Sequence, residues 1–372
     1  MADTLRLAVV GGGPGAFIGP VHLMAARLDG RYRLVAGAFS RDADRNAAAG
    51  RGYGVDADRV YGDWRDLLAR EKSRVDVVAI VTPNDTHFPI AKAALEAGYH
   101  VMCDKPVTLT LDQAVILRDL VRASGRQFGL THTYSAYPLV REAQARIRDG
   151  ALGQVRKIVV EYPQGWLSQP VHSKQADWRL DPAQAGLGGC IGDIGVHAFH
   201  LAEFVTGLHA VELCADLGHI VPGRTLDDDC DIFLRFDNGA RGALIASQIS
   251  AGERNAIRLR VYGEKGGLDW SQETPNTLVF NWLDRPSEVL HAGGAYLSPD
   301  VQTMIRIPSG HPEGYIEAFA NLYRDLAGQV SGAPATQFGA IPGIDDGVRG
   351  MAFVACAVES SRLRQWQPLK DI

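Results

Sequence analysis

The sequence predicts an α/β protein in two parts: a doubly wound parallel sheet, then an α+β domain with a large, mostly antiparallel open sheet. Three observations lead there. Gly11-Gly12-Gly13-Pro14-Gly15-Ala16 follows a β-rich run and opens a helical pattern. Apolar, strand-length runs then alternate with helical patterns as far as Thr131, the order that gives parallel sheets. After Val205 the β-type runs follow one another without helices between them, the order that gives antiparallel ones. The division falls at 1–131 and 132–372, and 372 residues suit two cores better than one.

Each element of the first part has a local reason. Residues 5–10 are β-rich, and Gly11, Gly13 and Ala16 fit G-x-G-x-x-[GA], with Phe17 and Ile18 leading into a helix over about 20–28. Between a strand and a helix, such glycines let the backbone approach a pyrophosphate seated on the helix N-terminus, which marks a Rossmann dinucleotide-binding domain. Residues 32–40 read as the second strand. A ribose-binding acid is expected about 20 residues past the turn, and Ser40 and Arg41 occupy that place. These two could accept a 2′-phosphate, while Asp42 or the backbone could hold a free 2′-hydroxyl. NAD is expected, with NADP left open.

Residues 63–70 look helical, and 75–81 form a strongly apolar run of the parallel-sheet type. That run ends in Thr82-Pro83-Asn84, and a helix follows over about 85–97 with Gly98 as its stop. Strand ends of this kind line the ligand crevice, so Thr82, Pro83, Asn84 and His87 are cofactor candidates. Asn84 or Asp85 would serve equally well as a helix cap. Val101-Met102-Cys103 is the next strand; it delivers Asp104 and Lys105, and Pro106 stops it. A helix over 111–124 and a strand over 127–131 close the alternation.

In the second part a helix is expected over 138–148 and a strand over 154–162. Residues 163–189 are irregular and rich in Gly, Gln and Trp, and a helix follows over 192–205. Strands then fall at 210–220, 231–236, 240–249, 257–262, 268–270 and 277–282, with Asp237-Asn238-Gly239 as a hairpin turn. Late helices cover 313–327 and 346–362. One face of this sheet can pack on helices; an apolar face left open calls for another subunit.

Composition excludes several classes. A net charge of −5 without long runs of one sign gives no nucleic-acid footprint. No stretch approaches the roughly 18 consecutive apolar residues of a membrane span, and the N-terminus lacks the basic start of a signal peptide. The five cysteines are scattered with no CxxC pair, which argues against a zinc ribbon or a disulfide framework. The expectation is a soluble protein of a reducing, cytoplasmic compartment.

Titratable groups cluster a second time in Asp193-Ile194-Gly195-Val196-His197. Four residues apart on a helix, Asp193 and His197 share a face. With His200 they also spell D-x-x-x-H-x-x-H, but no further ligand is suggested, so no metal is expected. Trp166, Trp178, Arg179, Tyr134 and His311 are further candidates, the aromatics for stacking on sugar faces or on a nicotinamide. His311 could equally cap the late helix that follows it.

Taken together, VVGGGPGAFIG, VTPNDTHFPIAKAALEAGYHVMCDKP and GGCIGDIGVHAFH resemble the glucose–fructose oxidoreductase / inositol dehydrogenase (Gfo/Idh/MocA) family over nearly the whole chain. The resemblance implies that Lys105 of the lysine-proline strand end lies between nicotinamide and substrate, and that Asp193 and His197 complete the site. It implies that Trp178-Arg179 approaches the nicotinamide. It makes the second domain, 132–372, the part that binds substrate and forms dimers or tetramers through its sheet. The glycine loop is longer than in plain G-x-G-x-x-G members, and His200 stands where many members carry Asp.

Oxidising a secondary alcohol removes a hydride from carbon and a proton from oxygen. The cofactor carries the hydride chemistry. His197, with an ordinary pKa near 6.5, suits the proton, with Asp193 orienting it. Lys105 would then stabilise charge on the reacting oxygen; with its pKa lowered it could be the base instead. The expected substrate is a cyclic polyol such as scyllo- or myo-inositol, or an aldose such as glucose oxidised to its lactone. The alternatives are a non-catalytic dinucleotide-binding sensor and an NAD-using glycoside hydrolase.

Overall fold

The computed structural model of the chain describes residues 4–171, 173–333 and 341–372; Met1, Ala2 and Asp3 of the N-terminal reading lie outside them. The chain divides into two compact units. The first comprises Met1–Thr131, Ser173–Trp178 and Phe319–Val348, and the second His132–His172, Arg179–Ala318 and Arg349–Ile372. The sequence places one division at 131/132; the compact units also bring two later segments back to the first.

In the first unit the strands are β1 (Leu5–Gly11), β2 (Tyr32–Ala38), β3 (Val77–Val81), β4 (His100–Cys103) and β5 (Phe128–Leu130). They form one parallel sheet in the order β2-β1-β3-β4-β5. The order reverses beside β1, so the C-terminal ends of β1 and β3 flank the crevice where such sheets take ligands. Every residue of β3 is buried, as expected of a strand covered on both faces. The helices are α1 (Ile18–Leu28), α2 (Ala43–Tyr53), α3 (Trp64–Arg70), α4 (His87–Glu96) and α5 (Leu111–Ser124). Their starts follow local chemistry: Asp42, Asp63 and Thr110 accept backbone N–H bonds as N-caps of α2, α3 and α5. Gly54 and Gly125 end α2 and α5 in the left-handed region.

The late segment completes this core. Tyr323 accepts at its carbonyl from the Tyr32 hydroxyl (2.9 Å) and bonds His22 Nδ1 through its own hydroxyl (2.8 Å). The Pro342 carbonyl accepts from Leu130 N at 2.7 Å.

The second unit opens with α6 (Pro138–Arg148) and β6 (Val155–Pro163). The irregular stretch after β6 holds two short helices, α7 (Lys174–Arg179) and α8 (Pro182–Ala185). The helix expected from residue 192 comes in two pieces, a π-type turn over Ile191–Gly195 and then α9 (Val196–Thr206). The buried Asp227 carboxylate secures the wide turn, accepting from Gly189 N (2.6 Å) and Ile191 N (2.7 Å). Burial pushes the Asp227 carboxyl up, and these two N–H groups pull it back.

Strands β7 (Ala210–Gly218), β8 (Asp229–Phe236), β9 (Arg241–Ser247), β10 (Arg258–Gly263), β11 (Gly266–Ser271), β12 (Thr277–Trp282), β13 (Glu288–His291) and, at the C-terminus, β14 (Gln367–Pro368) complete a nine-stranded sheet with β6. Its order is β13-β12-β11-β10-β6-β9-β8-β7-β14, antiparallel throughout except for the parallel β6–β9 pair. One face packs under α6 and α9; the alternating burial of β8 and β9 shows that the other is open. The remaining helices are α10 (Pro299–Gln302), α11 (Tyr315–Val330) and α12 (Ile344–Leu363).

Candidate active site

In the first unit the glycine turn is shaped by lack of room. Gly11, Gly12 and Gly15 have φ of +94°, +75° and +80°, a region where only glycine is at ease. A Cβ on Gly13 would lie 2.6 Å from the Phe39 carbonyl oxygen, and one on Gly19 only 2.3 Å from Gly12 Cα. Gly19 is therefore the residue that lets α1 close on the turn. Side chains grip the turn by its carbonyls: Tyr53 Oη donates to Gly12 O (2.8 Å), Arg45 Nη2 to Pro14 O (2.8 Å) and Gln175 Nε2 to Gly15 O (3.3 Å).

Among the described residues, no side chain caps α1 at Phe17, and its first turn holds no acid. Uncapped N–H groups at the end of a glycine turn suit a pyrophosphate. At the end of β3 the buried Thr82 hydroxyl has no hydrogen-bond partner among the described residues, as a group awaiting a ligand would be. This unit therefore fits a dinucleotide.

Ser40 and Arg41 follow β2. Asn46 Oδ1 accepts from Phe39 N (2.8 Å) and Ser40 N (3.2 Å), fixing the backbone there. Asp42 caps α2 through Arg45 N at 2.9 Å. Pro83 leads into a 3-10 turn over Asn84–Thr86, where Asn84 is buried. His87 is a bracket: its Nδ1 lies 2.8 Å from Pro106 O and its Nε2 2.9 Å from Thr82 O, which ties the ends of β3 and β4 together. Asp104 Oδ1 accepts from Lys105 N (3.0 Å) and Thr131 Oγ1 (2.5 Å), so the backbone that carries Lys105 is held from both sides. The Lys105–Pro106 peptide is cis.

In the second unit the organising residue is His197, on the first turn of α9 and buried. It lies in an aromatic box. The Tyr134 ring meets it edge-on at 5.0 Å, His132 edge-on at 5.6 Å, and Tyr162 at 6.4 Å. His200 stacks on His132, 4.0 Å apart and 6° from parallel, which gives its imidazole a packing partner inside the box. Asp193, in the π-type turn, accepts on Oδ2 from Arg179 Nε (3.2 Å) and Gln248 Nε2 (2.9 Å). Arg179 is thus aimed at Asp193. Trp178, its neighbour in sequence, belongs to the first unit.

Tyr134 bonds the Tyr162 hydroxyl and accepts from Asn255 Nδ2 at 3.1 Å. Burial pushes both phenols up, so both stay protonated at neutral pH. Trp166 is 37% exposed, and its indole N–H donates to Gln164 Oε1 at 3.0 Å. His311 lies exposed before α11, bonded to Pro308 O at 3.2 Å.

His132, Tyr162, Gln164, Gln248 and Asn255 belong to this site and are missed by motif reading. Tyr162 alone carried a signal: a tyrosine on the inward side of an alternating strand. Among the described residues no group of side chains could hold a metal ion, and no helix is long and apolar enough to cross a membrane.

Comparisons with known proteins agree with this anatomy. Residues 5–132 match the oxidoreductase family with an NAD-binding Rossmann fold, and residues 140–269 the GFO/IDH/MocA C-terminal domain. The chain is 32% identical to an uncharacterized oxidoreductase of Bacillus subtilis, covering 97% of this chain and 95% of that one. It is 27% identical to the levoglucosan dehydrogenase of Pseudarthrobacter phenanthrenivorans over 74% of this chain and 76% of that protein. Among solved structures, an inositol dehydrogenase homolog from Azotobacter vinelandii, complexed with NADH and myo-inositol, superposes with a TM-score of 0.92 at 35% identity, covering 99% of this chain and 98% of that one.

Proposed function

The chain belongs to the Gfo/Idh/MocA family of NAD-dependent oxidoreductases, and on that footing we propose that it dehydrogenates a secondary hydroxyl of a cyclic polyol or pyranose sugar. The observation that carries this reading is the His197 box: a buried imidazole walled by two tyrosines, in the same chain as an NAD-binding domain that displays Lys105. The relatives that bear the names levoglucosan dehydrogenase and inositol dehydrogenase homolog support the substrate class.

The dinucleotide would be held by residues 11–18, by Thr82, Pro83 and Asn84, and at its ribose by Ser40 and Arg41. Nicotinamide, when bound, takes up the hydride. Lys105 donates a hydrogen bond to the hydroxyl oxygen and stabilises the negative charge that grows there. His197 accepts the hydroxyl proton on its imidazole. Asp193 anchors Arg179 and balances the positive charge that His197 gains. Trp166 offers an aromatic face to the carbon side of a ring.

The test is a panel of inositols, aldoses and levoglucosan, each with NAD and with NADP, followed by the absorbance of the reduced cofactor. Reduction of NAD by a cyclic polyol or pyranose is expected. Silence across the panel, with NADH still bound, would reject the substrate class.

The open sheet face supports a second copy as partner. Val159, Ala243, Phe233 and Cys214 stand in line across β6, β9, β8 and β7. Two residues along the strands to one side, Asp216 stands directly opposite Asp231; to the other side, Lys157 stands opposite Arg241. Among the described residues none of these four has a salt-bridge partner. Burial and the nearby Asp229 and Asp216 hold the Asp231 carboxyl above its usual range. A copy laid face to face with its strands reversed sets the acidic end of one sheet over the basic end of the other and covers the apolar line between.

A further inference from the structure

Behind Tyr134 runs a chain of polar side chains whose direction can be worked out from donor and acceptor chemistry. Trp166 contributes only a donor, its indole N–H. Gln164 must therefore turn its carbonyl oxygen to Trp166 (3.0 Å), which leaves its NH₂ to face Asn255. Asn255 must answer with its own oxygen, at 2.6 Å from Gln164 Nε2. The same oxygen accepts the Tyr162 hydroxyl proton at 2.8 Å. The Asn255 NH₂ is then turned to Tyr134 Oη, 3.1 Å away. Tyr162 has already committed its proton to Asn255, so in the bond between the two phenols Tyr134 is the donor. Tyr134, Tyr162 and Asn255 close a ring in which each bond runs the same way round, and its sense is fixed from outside by one indole.

The ring ends on His197. Tyr134 is buried and presents its ring edge-on to that imidazole at 5.0 Å and 79°. Tyr162, on the face of β6 beneath α9, approaches the same imidazole at 6.4 Å. Their hydroxyls point into the ring, and their aromatic bodies wall the box.

We propose that Trp166, Gln164 and Asn255 are positioning residues, which fix the sense of the Tyr134–Tyr162 hydrogen bond and thereby hold both tyrosine rings against His197. The Tyr134 hydroxyl is committed within the ring and is not the acid or base of the reaction. The proposal rests on the reading of His197 as the proton acceptor, but its geometry can be tested without turnover.

The experiment is nitrogen-15 NMR of the histidine side chains in the full-length protein with NADH bound, the His197 signal being identified by its loss in His197→Gln. Asn255→Asp keeps the size of the side chain and removes the NH₂ that reaches Tyr134. Trp166→Phe removes the donor that sets the direction; at 37% exposure Trp166 is the member least needed for folding. Both variants are expected to move the His197 signal and leave that of the exposed His209 in place. A His197 signal unmoved in Asn255→Asp and Trp166→Phe would overturn the proposal. With a polyol that turns over, Asn255→Asp should lower kcat about tenfold while KM changes by less than about threefold. In a Tyr162→Phe background the same substitution should cost less than about twofold, because the two act through one ring. Independent, multiplying effects would also overturn it. A shifted His197 signal without turnover of any polyol would reject the substrate reading and leave the positioning chain standing.

Discussion

Gly19 rests on Gly12: a Cβ at position 19 would stand 2.3 Å from the Gly12 Cα, with backbone and no flexible side chain in its way. Gly19→Ala must therefore push the turn away from α1 and disturb the N–H groups that would meet a pyrophosphate. NADH affinity is expected to fall at least about tenfold, equivalent to about 1.4 kcal/mol. Gly52→Ala is the control, since nothing lies within 4 Å of its Cβ position and its φ is ordinary. Titration of NADH fluorescence checks both; a Gly19→Ala protein that binds as wild type does would remove the turn from the cofactor site.

Lys105 is carried on a backbone held by Asp104 and Thr131, so its side chain can be replaced with little effect on that backbone. Lys105→Ala is expected to bind NADH within about threefold of wild type and to lose about 10³-fold in kcat, the scale of a lost charge-stabilising donor. Steady-state turnover beside a binding titration separates the two. Normal turnover would end the mechanism proposed for Lys105.

His22 supplies a pH prediction for the first unit. Burial pushes its pKa down from 6.5 to about 4, against a smaller upward pull from Asp104 and with a further small downward push from His87. Between those two values the unfolded chain binds a proton at this position and the folded chain does not. Stability from this group is therefore complete above pH 6.5 and is lost as pH falls toward 4, at up to about 1.4 kcal/mol per pH unit. His22→Gln can keep a bond to Tyr323 and cannot titrate. Urea unfolding across this range should show a shallower acid loss in the variant than in wild type; parallel curves would mean that His22 is not the group responsible.

Phe233 is 61% exposed at the middle of the apolar line on the open sheet face. Phe233→Glu is expected to shift the protein toward monomer in sedimentation velocity. Asp231→Arg should weaken assembly as well, and adding Arg241→Asp should restore part of it, because the swapped charges again meet across the two copies. Wild-type sedimentation as a monomer at micromolar concentration would dispose of the sheet pairing.

The parallel unit was the more legible half because its signals are local. A glycine turn, an all-apolar strand and a proline after Lys105 each need only a few neighbouring residues to be read. The nine-stranded sheet could be anticipated as antiparallel from strands without helices between them, but the parallel join of β6 to β9 is set by distant pairing. The break between the π-type turn and α9 was hidden because its anchor, Asp227, comes over thirty residues later. The same holds for the His197 box: Asn255 and Tyr162 contribute ordinary polar side chains whose importance comes from meeting each other. His87, past a strand end, suggests a ligand contact, and what the sequence does not show is that its ring nitrogens also lie within 2.9 Å of the Pro106 and Thr82 carbonyls.

Tyr323 gives the first unit a peculiar birth order. Its carbonyl and hydroxyl anchor Tyr32 and His22, yet it is made some three hundred residues after them. A domain at the front of a chain ordinarily can fold while the rest is still being synthesised. Here Tyr32 and His22 gain their Tyr323 partners only after position 323 has been made. A fragment ending at residue 131 would lack the Phe319–Val348 cover and leave Tyr32 and His22 to bond water.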